Sequence, residues 1–250
     1  MYLHYIFTMT STTANGRLGN QIIRNLAVSL LAKKHNLRVN YVNNDLINQL
    51  GITLFSGNKS HTQTRKLTDE NYFTVFNLDQ LNYNLEPNAH YFQSKEITNF
   101  LYTYLHTDII KSNIIAHNPY KNRYNKNNDL FIHIRLTDVA AHSPGITYYL
   151  NAIKNVSFDK LYIATDDKNH SIIANILHLY PSAKLIIFEE IPTFQFGSTC
   201  KHVILSHGSF SAVIGYLSFF STVYYPEYEE GKMWYGDMFS INNWIKLNVK

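Results

Sequence analysis

The sequence predicts an α/β chain with parallel sheets, divided into two units. Three observations lead there. In the second half, short apolar strands alternate with amphipathic helices, a pattern that implies parallel pairing through right-handed crossovers. Its strands are near-continuously apolar, as expected of a sheet covered on both faces. In the first half, a strand, a glycine-bearing loop, a helix and a second strand follow one another, the opening of a Rossmann-like sheet. Between the halves, "HNPYKNRYNKNND" (117–129) is polar, carries a proline and has no apolar period, the mark of an interdomain linker. The boundaries are set at 1–125 and 126–250.

The elements follow in order. Residues 2–9, "YLHYIFTM", form a strand that leads into the loop "TANGRLGNQ". The helix after it places Ile22, Ile23, Leu26, Ala27, Leu30 and Leu31 on one stripe, and Lys33, Lys34 and His35 stand in its last turn, where cations suit the dipole. "LRVNYV" is the next strand. The polar run "FSGNKSHTQTRKLTDENYF" reads as a loop or insertion. Over 96–111, Ile97, Phe100, Leu101, Tyr104, Leu105 and Ile109 make a helical stripe. In the second half, "LFIHIR" (130–135), "KLYIAT" (160–165), "AKLIIF", "HVILS" (202–206) and "TVYYP" are strands. "TYYLNAIKN", "NHSIIANILHLY" and "SFSAVIGYLSFF" are helices.

Composition sets the bounds. The chain has 250 residues, of which 45% are hydrophobic and 16% charged, which is enough for one large or two small cores and unlike a disordered chain. The net charge of +4 suits a cleft that receives an anion. No arginine-rich arm or aromatic–basic repeat speaks for nucleic acid. Cys200 is the single cysteine, so an intramolecular disulfide and a cysteine-based zinc site are both excluded, and a reducing compartment fits. Residues 1–13 lack basic residues ahead of their short apolar run, which makes a poor signal peptide. No run approaches the roughly 20 apolar residues of a membrane span. A cytoplasmic protein is expected, with no transmembrane segment.

Ligands of such sheets bind beyond the carboxyl ends of the strands, so the residue after each strand is informative. After the first come Gly16, Arg17, Gly19, Asn20 and Gln21, immediately before a helix whose N-terminal N–H groups and positive dipole end suit an anion. This loop lacks the full G-x-G-x-x-G and is no Walker loop; it reads as a site or as a tight turn. The strand at 130–135 ends in His133 and Arg135, which alternate and so share a face, followed by Asp138. Arg135 is a solvated edge residue or, with its fork geometry, a phosphate ligand. Thr165, Asp166 and Asp167 follow the next strand. Either aspartate caps the coming helix or accepts hydrogen bonds from a ribose or guanine edge. His207, Gly208, Ser209, Phe210 and Ser211 follow "HVILS", where the serines cap a helix or hold a diphosphate. His133 is a satisfied core histidine or a member of the site. No H-E-x-x-H, metal-spaced cluster, Asp-x-Asp or G-x-S-x-G occurs, so no metal cofactor is expected.

The motifs "GRLGNQ", "HIRLTD", "ATDD" and "LSHGSFSAVIGYLSFFSTVYYP" stand in the order seen in the α-1,2-fucosyltransferase family and its wider GDP-fucose transferase relatives, which this chain resembles. The resemblance covers about a third of the chain, spread from end to end. It implies a GT-B-like fold: two Rossmann-like domains with parallel sheets facing across a cleft, the N-terminal one on the acceptor side and the C-terminal one holding GDP-fucose. It implies inverting, metal-independent transfer of L-fucose to a hydroxyl of a glycan acceptor, such as the 2-OH of a galactoside. By position, Arg135 would bind phosphate. Asp166 would contact guanine or its ribose, Ser209, Phe210 and Ser211 would line the nucleotide, and Asn20 would approach the donor from the other domain. Asp138 or His133 would take the acceptor proton, or leaving-group departure alone would drive the reaction. Leu136 stands where the family's strand end carries a second arginine. That departure motivates the alternatives of another nucleotide-linked 6-deoxyhexose as donor, or a non-catalytic nucleotide- or glycan-binding module.

Overall fold

The structure is a computed structural model that describes residues 9–138, 140–227 and 237–248. Its centre is a six-stranded sheet, every neighbouring pair of which is parallel. The strands are β5 (Leu130–Ile134), β6 (Leu161–Thr165), β7 (Lys184–Ile186), β8 (His202–Ile204), β9 (Thr222–Pro226) and β10 (Ile245–Leu247). Their spatial order is β7-β6-β5-β8-β9-β10, the 3-2-1-4-5-6 order of a doubly wound sheet. The chain leaves β5 in one direction for β6 and β7 and returns to the other side for β8. The topological switch point therefore lies between β5 and β8, and the crevice at their carboxyl ends is where such sheets bind ligands.

Alternation along β5 shows how both faces are covered. Leu130, Ile132 and Ile134 join a core with Tyr149 and Ile153 of α6 (Gly145–Lys154) and Ile173 and Ile176 of α7 (Ser171–Leu179). Phe131 turns to the opposite face and joins Phe194 of α8 (Glu190–Gly197) and Val213 of α9 (Ser209–Tyr216). This second core continues without a break into the first half of the chain, through Leu18, Ile22, Leu26, Leu101 and Leu105.

The first half is built around α1 (Leu18–His35). The expected apolar stripe is there, but α1 is buried nearly all round, Arg24, Asn25 and Ser29 included. Arg24 is held by donating to the carbonyls of His90 (3.0 Å) and Thr13 (3.1 Å), so it fastens two loops to the helix. Two small parallel pairs flank α1: β1 (Thr10–Ser11) with β2 (Val39–Asn40), and β3 (Thr64–Lys66) with β4 (Asn84–Glu86). They are linked by the Leu85 amide donating to Thr10 Oγ1 (2.8 Å). The expected strand over 2–9 lies outside the described residues except for Met9, which is not in a strand.

Several elements differ from expectation. The polar run at 55–73 contains β3, all exposed, and the start of α3 (Tyr72–Phe76); a fully exposed strand has no apolar alternation to reveal it. The single helix expected over 96–111 is two, α4 (Lys95–Leu105) and α5 (Asp108–His117). The break at His106–Thr107 resets the helical phase, and Ile109, expected on the buried stripe, is 83% exposed. The 117–129 stretch is folded against the second half: Arg123 donates to Asp129 (2.8 Å) and lies over the Phe196 ring, and Asn118 donates to the Gln195 carbonyl. The element α8 was not foreseen, nor was β10, and the helix expected to run to 220 stops at Tyr216.

Candidate anion-binding cleft at the strand switch point

The loop ends gather as the parallel-sheet argument requires. A cavity of about 200 Å3 opens at the carboxyl ends of β5, β6 and β7 and is lined by Arg17, His133, Arg135, Ala164, Thr165, Asp166, Ile186, Phe188, Glu190, Thr193, Ser209 and Phe210. Seven of these, Arg17, His133, Arg135, Thr165, Asp166, Ser209 and Phe210, are residues the sequence singled out. Of the other five, Glu190 and Thr193 belong to α8, a helix the sequence does not announce, and Ala164, Ile186 and Phe188 are apolar residues of expected strands that nothing local marks as cavity wall.

The loop before α1 explains the chemistry of its residues. Gly16 sits at φ +82°, a left-handed conformation that favours glycine. Arg17 is the N-cap of α1 and its side chain reaches across the cleft, with Nη2 3.2 Å from Asp138 Oδ2 and Nη1 3.6 Å from Asp166 Oδ2. Gly19 makes the close approach. A Cβ there would lie 2.6 Å from the Phe210 backbone nitrogen and 2.7 Å from the Ser209 carbonyl carbon, so the first turns of α1 and α9 meet backbone to backbone. Neither helix has a side-chain cap or an acidic residue in its first turn. Two positive helix ends converge beside two arginines.

Asn20 accepts from Gln93 Nε2 at 2.7 Å and is half-buried at the same junction. Gln21 does not reach the cavity: it is buried, and its amide donates to the carbonyls of Gly16 (2.7 Å) and Ala14 (3.2 Å). Its task is to brace the loop that presents Arg17.

On the other side, Arg135 follows β5, and its amide donates to Ser206 Oγ (3.3 Å). Ser206 is fixed in turn by Tyr149 Oη at 2.8 Å and by His207 Nδ1 at 3.2 Å. The guanidinium lies over Gly208, which has φ +88°; a Cβ at 208 would stand 2.5 Å from Arg135 Nη1. Glycine is thus favoured at the start of α9 by its conformation, and the missing Cβ leaves room for the Arg135 guanidinium where it lies. Arg135 also makes a forked contact with Asp138, Nη2 being 3.1 Å from each carboxylate oxygen and Nε 3.4 Å from Oδ1.

Of the two alternatives for Asp166 and Asp167, capping is ruled out: α7 is capped by His170 Nδ1, which accepts from the Ile172 amide (3.2 Å). Asp166 instead accepts from the Leu136 amide (2.7 Å) and the Thr137 hydroxyl (2.6 Å). Burial alone would push its carboxyl up, but these hydrogen bonds and the nearby His133 bring it below the usual carboxylate range. Asp167 turns away from the cavity and accepts from the Asn169 amide (3.0 Å). Nor do Ser209 and Ser211 cap α9, whose N-cap is Gly208. Ser209 lines the cavity; Ser211 is buried, accepts from the Ser206 amide (3.0 Å) and contacts His133 Nδ1 at 2.5 Å.

His133 is stacked on Phe210, with ring centroids 4.9 Å apart, and is almost wholly buried. Burial, only partly offset by Asp166, lowers it to about 3, so the ring is neutral at neutral pH and a weak proton acceptor. Its place is both core and cavity wall. Leu136 packs into the core beneath the sheet and presents nothing to the cleft. Among the described residues, no group of three His, Cys, Asp or Glu is gathered as a metal site, and no helix is long and apolar enough to cross a membrane.

In chemical terms the cleft sets two guanidiniums and two helix N-termini against the carboxylates of Asp166, Glu190 and the adjoining Asp138, and it continues into a slot whose walls are Ile186, Phe188 and Ala164. No protein-family model matches the chain, and no curated protein matches it at a significant level.

Proposed function

We propose that the chain is an inverting glycosyltransferase that moves L-fucose from GDP-fucose to a glycan hydroxyl, its two units, 1–125 and 126–250, acting as the acceptor-side and nucleotide-side halves of a GT-B-like arrangement. The observation that carries this reading is the convergence of Arg17, Arg135 and the first turns of α1 and α9 at the strand switch point. The diphosphate sits against Arg135 and the α9 amides, the ribose near Thr165 and Asp166, and the base in the apolar slot by Phe188. The acceptor oxygen forms a bond to the sugar C1 as the C1–O bond to GDP breaks. The bonding electrons leave with GDP, whose growing charge meets preorganised donors, worth several kcal/mol in comparable sites. The acceptor proton passes to Asp138, which is exposed; His133, held neutral by burial, is the weaker candidate.

A second reading changes the donor to another nucleotide-linked 6-deoxyhexose. It is favoured by Leu136, whose side chain lies in the core and leaves the strand end with one guanidinium. The test is a thermal-shift panel with GDP, UDP and dTDP, followed by incubation with GDP-fucose and simple galactosides, with and without EDTA. The expected result is stabilisation by GDP above the others, and GDP release that depends on the acceptor and is unchanged by EDTA. Equal indifference to all three nucleotides overturns the reading; GDP binding without release under any condition leaves a non-catalytic module.

A further inference from the structure

Asp138 is the only partner of its kind that Arg17 and Arg135 share among the described contacts. Its carboxylate is gripped from both halves of the chain: Arg17 Nη2 at 3.2 Å from one side, Arg135 Nη2 at 3.1 Å to both oxygens from the other. We infer that the Asp138 carboxylate is an internal counter-ion seated in a two-arginine anion site, which the diphosphate of the donor displaces, so that Arg17 supplies the second positive charge that Leu136 does not. This inference rests on the proposed function for the identity of the anion, and on the geometry alone for the existence of the site.

Three features argue for exchange. First, the two carboxylates facing the arginines are held very differently. Asp166 is fixed by a backbone amide and a hydroxyl at 2.7 and 2.6 Å. Among the described residues, Asp138 is held by the arginines and by one long 3.5 Å contact from Thr137 Oγ1, and its side chain is 45% exposed. Its pair with the exposed Arg17 therefore costs little to break, while the forked pair with Arg135, whose side chain is 13% exposed, is the tighter of the two. Second, Arg17 is a cation at the positive end of an 18-residue helix with no acid in its first turn, an unfavourable position that a dianion in place of Asp138 relieves further, with Asp166 still 3.6 Å away. Third, Arg135 Nη1 lies over Gly208 at the start of α9, so an anion that takes the α9 amides reaches this guanidinium without moving it. A diphosphate offers each arginine a forked contact. Exchange would also free Asp138 beside the donor, at the moment when a proton acceptor is needed.

The sign of one substitution decides the matter. Asp138→Asn keeps the shape and removes the competing charge. An exchangeable counter-ion predicts that this variant binds inorganic pyrophosphate and GDP more tightly than wild type, about three- to tenfold by calorimetry, while sugar transfer slows. A brace whose task is to position Arg135 predicts weaker binding. Equal or weaker binding of both ligands by Asp138→Asn, with an unchanged circular dichroism spectrum, overturns the inference, as does failure of pyrophosphate to bind either form. Arg17→Gln is expected to weaken pyrophosphate binding; unchanged binding removes Arg17 from the site. If pyrophosphate behaves as expected but GDP binds no better than UDP, the anion site stands and the guanine nucleotide reading falls.

Discussion

Gly19→Ala tests the junction on which the cleft depends. The added Cβ would lie 2.6 Å from Phe210 N, 2.7 Å from Ser209 C and 2.9 Å from Phe210 Cα, where ordinary contact begins at 3.4 Å. All three atoms are backbone, so no rotamer change relieves the clash. Either α1 or α9 must move, and both are packed in one core. Overpacking of this kind costs about 1–3 kcal/mol, against a gain of up to about 1 kcal/mol from alanine's better helix propensity. The expected net loss is about 1–2 kcal/mol, read as a fall in Tm of roughly 2–4 °C per kcal/mol in a chain of this size. The helix ends also separate, so GDP affinity falls about three- to fivefold as the dipole contribution weakens. Urea or thermal unfolding gives the first quantity and calorimetric titration the second. A Gly19→Ala protein as stable as wild type that binds GDP equally well refutes the close approach and, with it, the shared anion site.

Arg135→Ala removes the forked donor over Gly208; GDP binding is expected to weaken by about ten- to hundredfold, the scale of a charge-assisted hydrogen bond, with the circular dichroism spectrum unchanged. Retained affinity in a titration would take Arg135 out of the site. The pH dependence of stability follows from His133. Its folded-state value is lowered to about 3 by burial, while the unfolded chain titrates near its ordinary 6.5. The stability it protects is therefore whole above pH 6.5 and is lost as pH falls towards 3, by about 2 kcal/mol at pH 5. His133→Gln should flatten the drop in denaturant midpoint between pH 7 and pH 5, and an unaltered slope would show that the ring is solvated.

Much of the second half was legible from sequence because its signals are local and strong. The apolar run of β5 is buried at every residue and those of β6, β8 and β9 are buried or half-buried throughout, so they are recognised without reference to a partner, and the position of Arg135 after one of them follows from counting. The first half was less legible. The exposed β3 carries no hydrophobic period, and the turn between α4 and α5 has no proline or glycine to announce it. The α1 helix could be placed, but not its burial on every side, because Arg24 and Asn25 are polar letters whose partners are carbonyls 66, 11 and 17 residues away.

By itself the sequence determined the chemistry at each strand end: a guanidinium after β5, a carboxylate after β6, a glycine and hydroxyls after β8, and a glycine-rich turn before α1. Covalent order fixes which residue follows which strand. Only the tertiary structure decided which of them meet. It turned Gln21 and Ser211 inward as braces, sent Asp167 away from the cavity, and brought Arg17 across to Asp138. The reason is that such meetings depend on the sheet order and on how closely two helix backbones approach. Those are settled by packing of the whole core, which no local stretch of sequence contains.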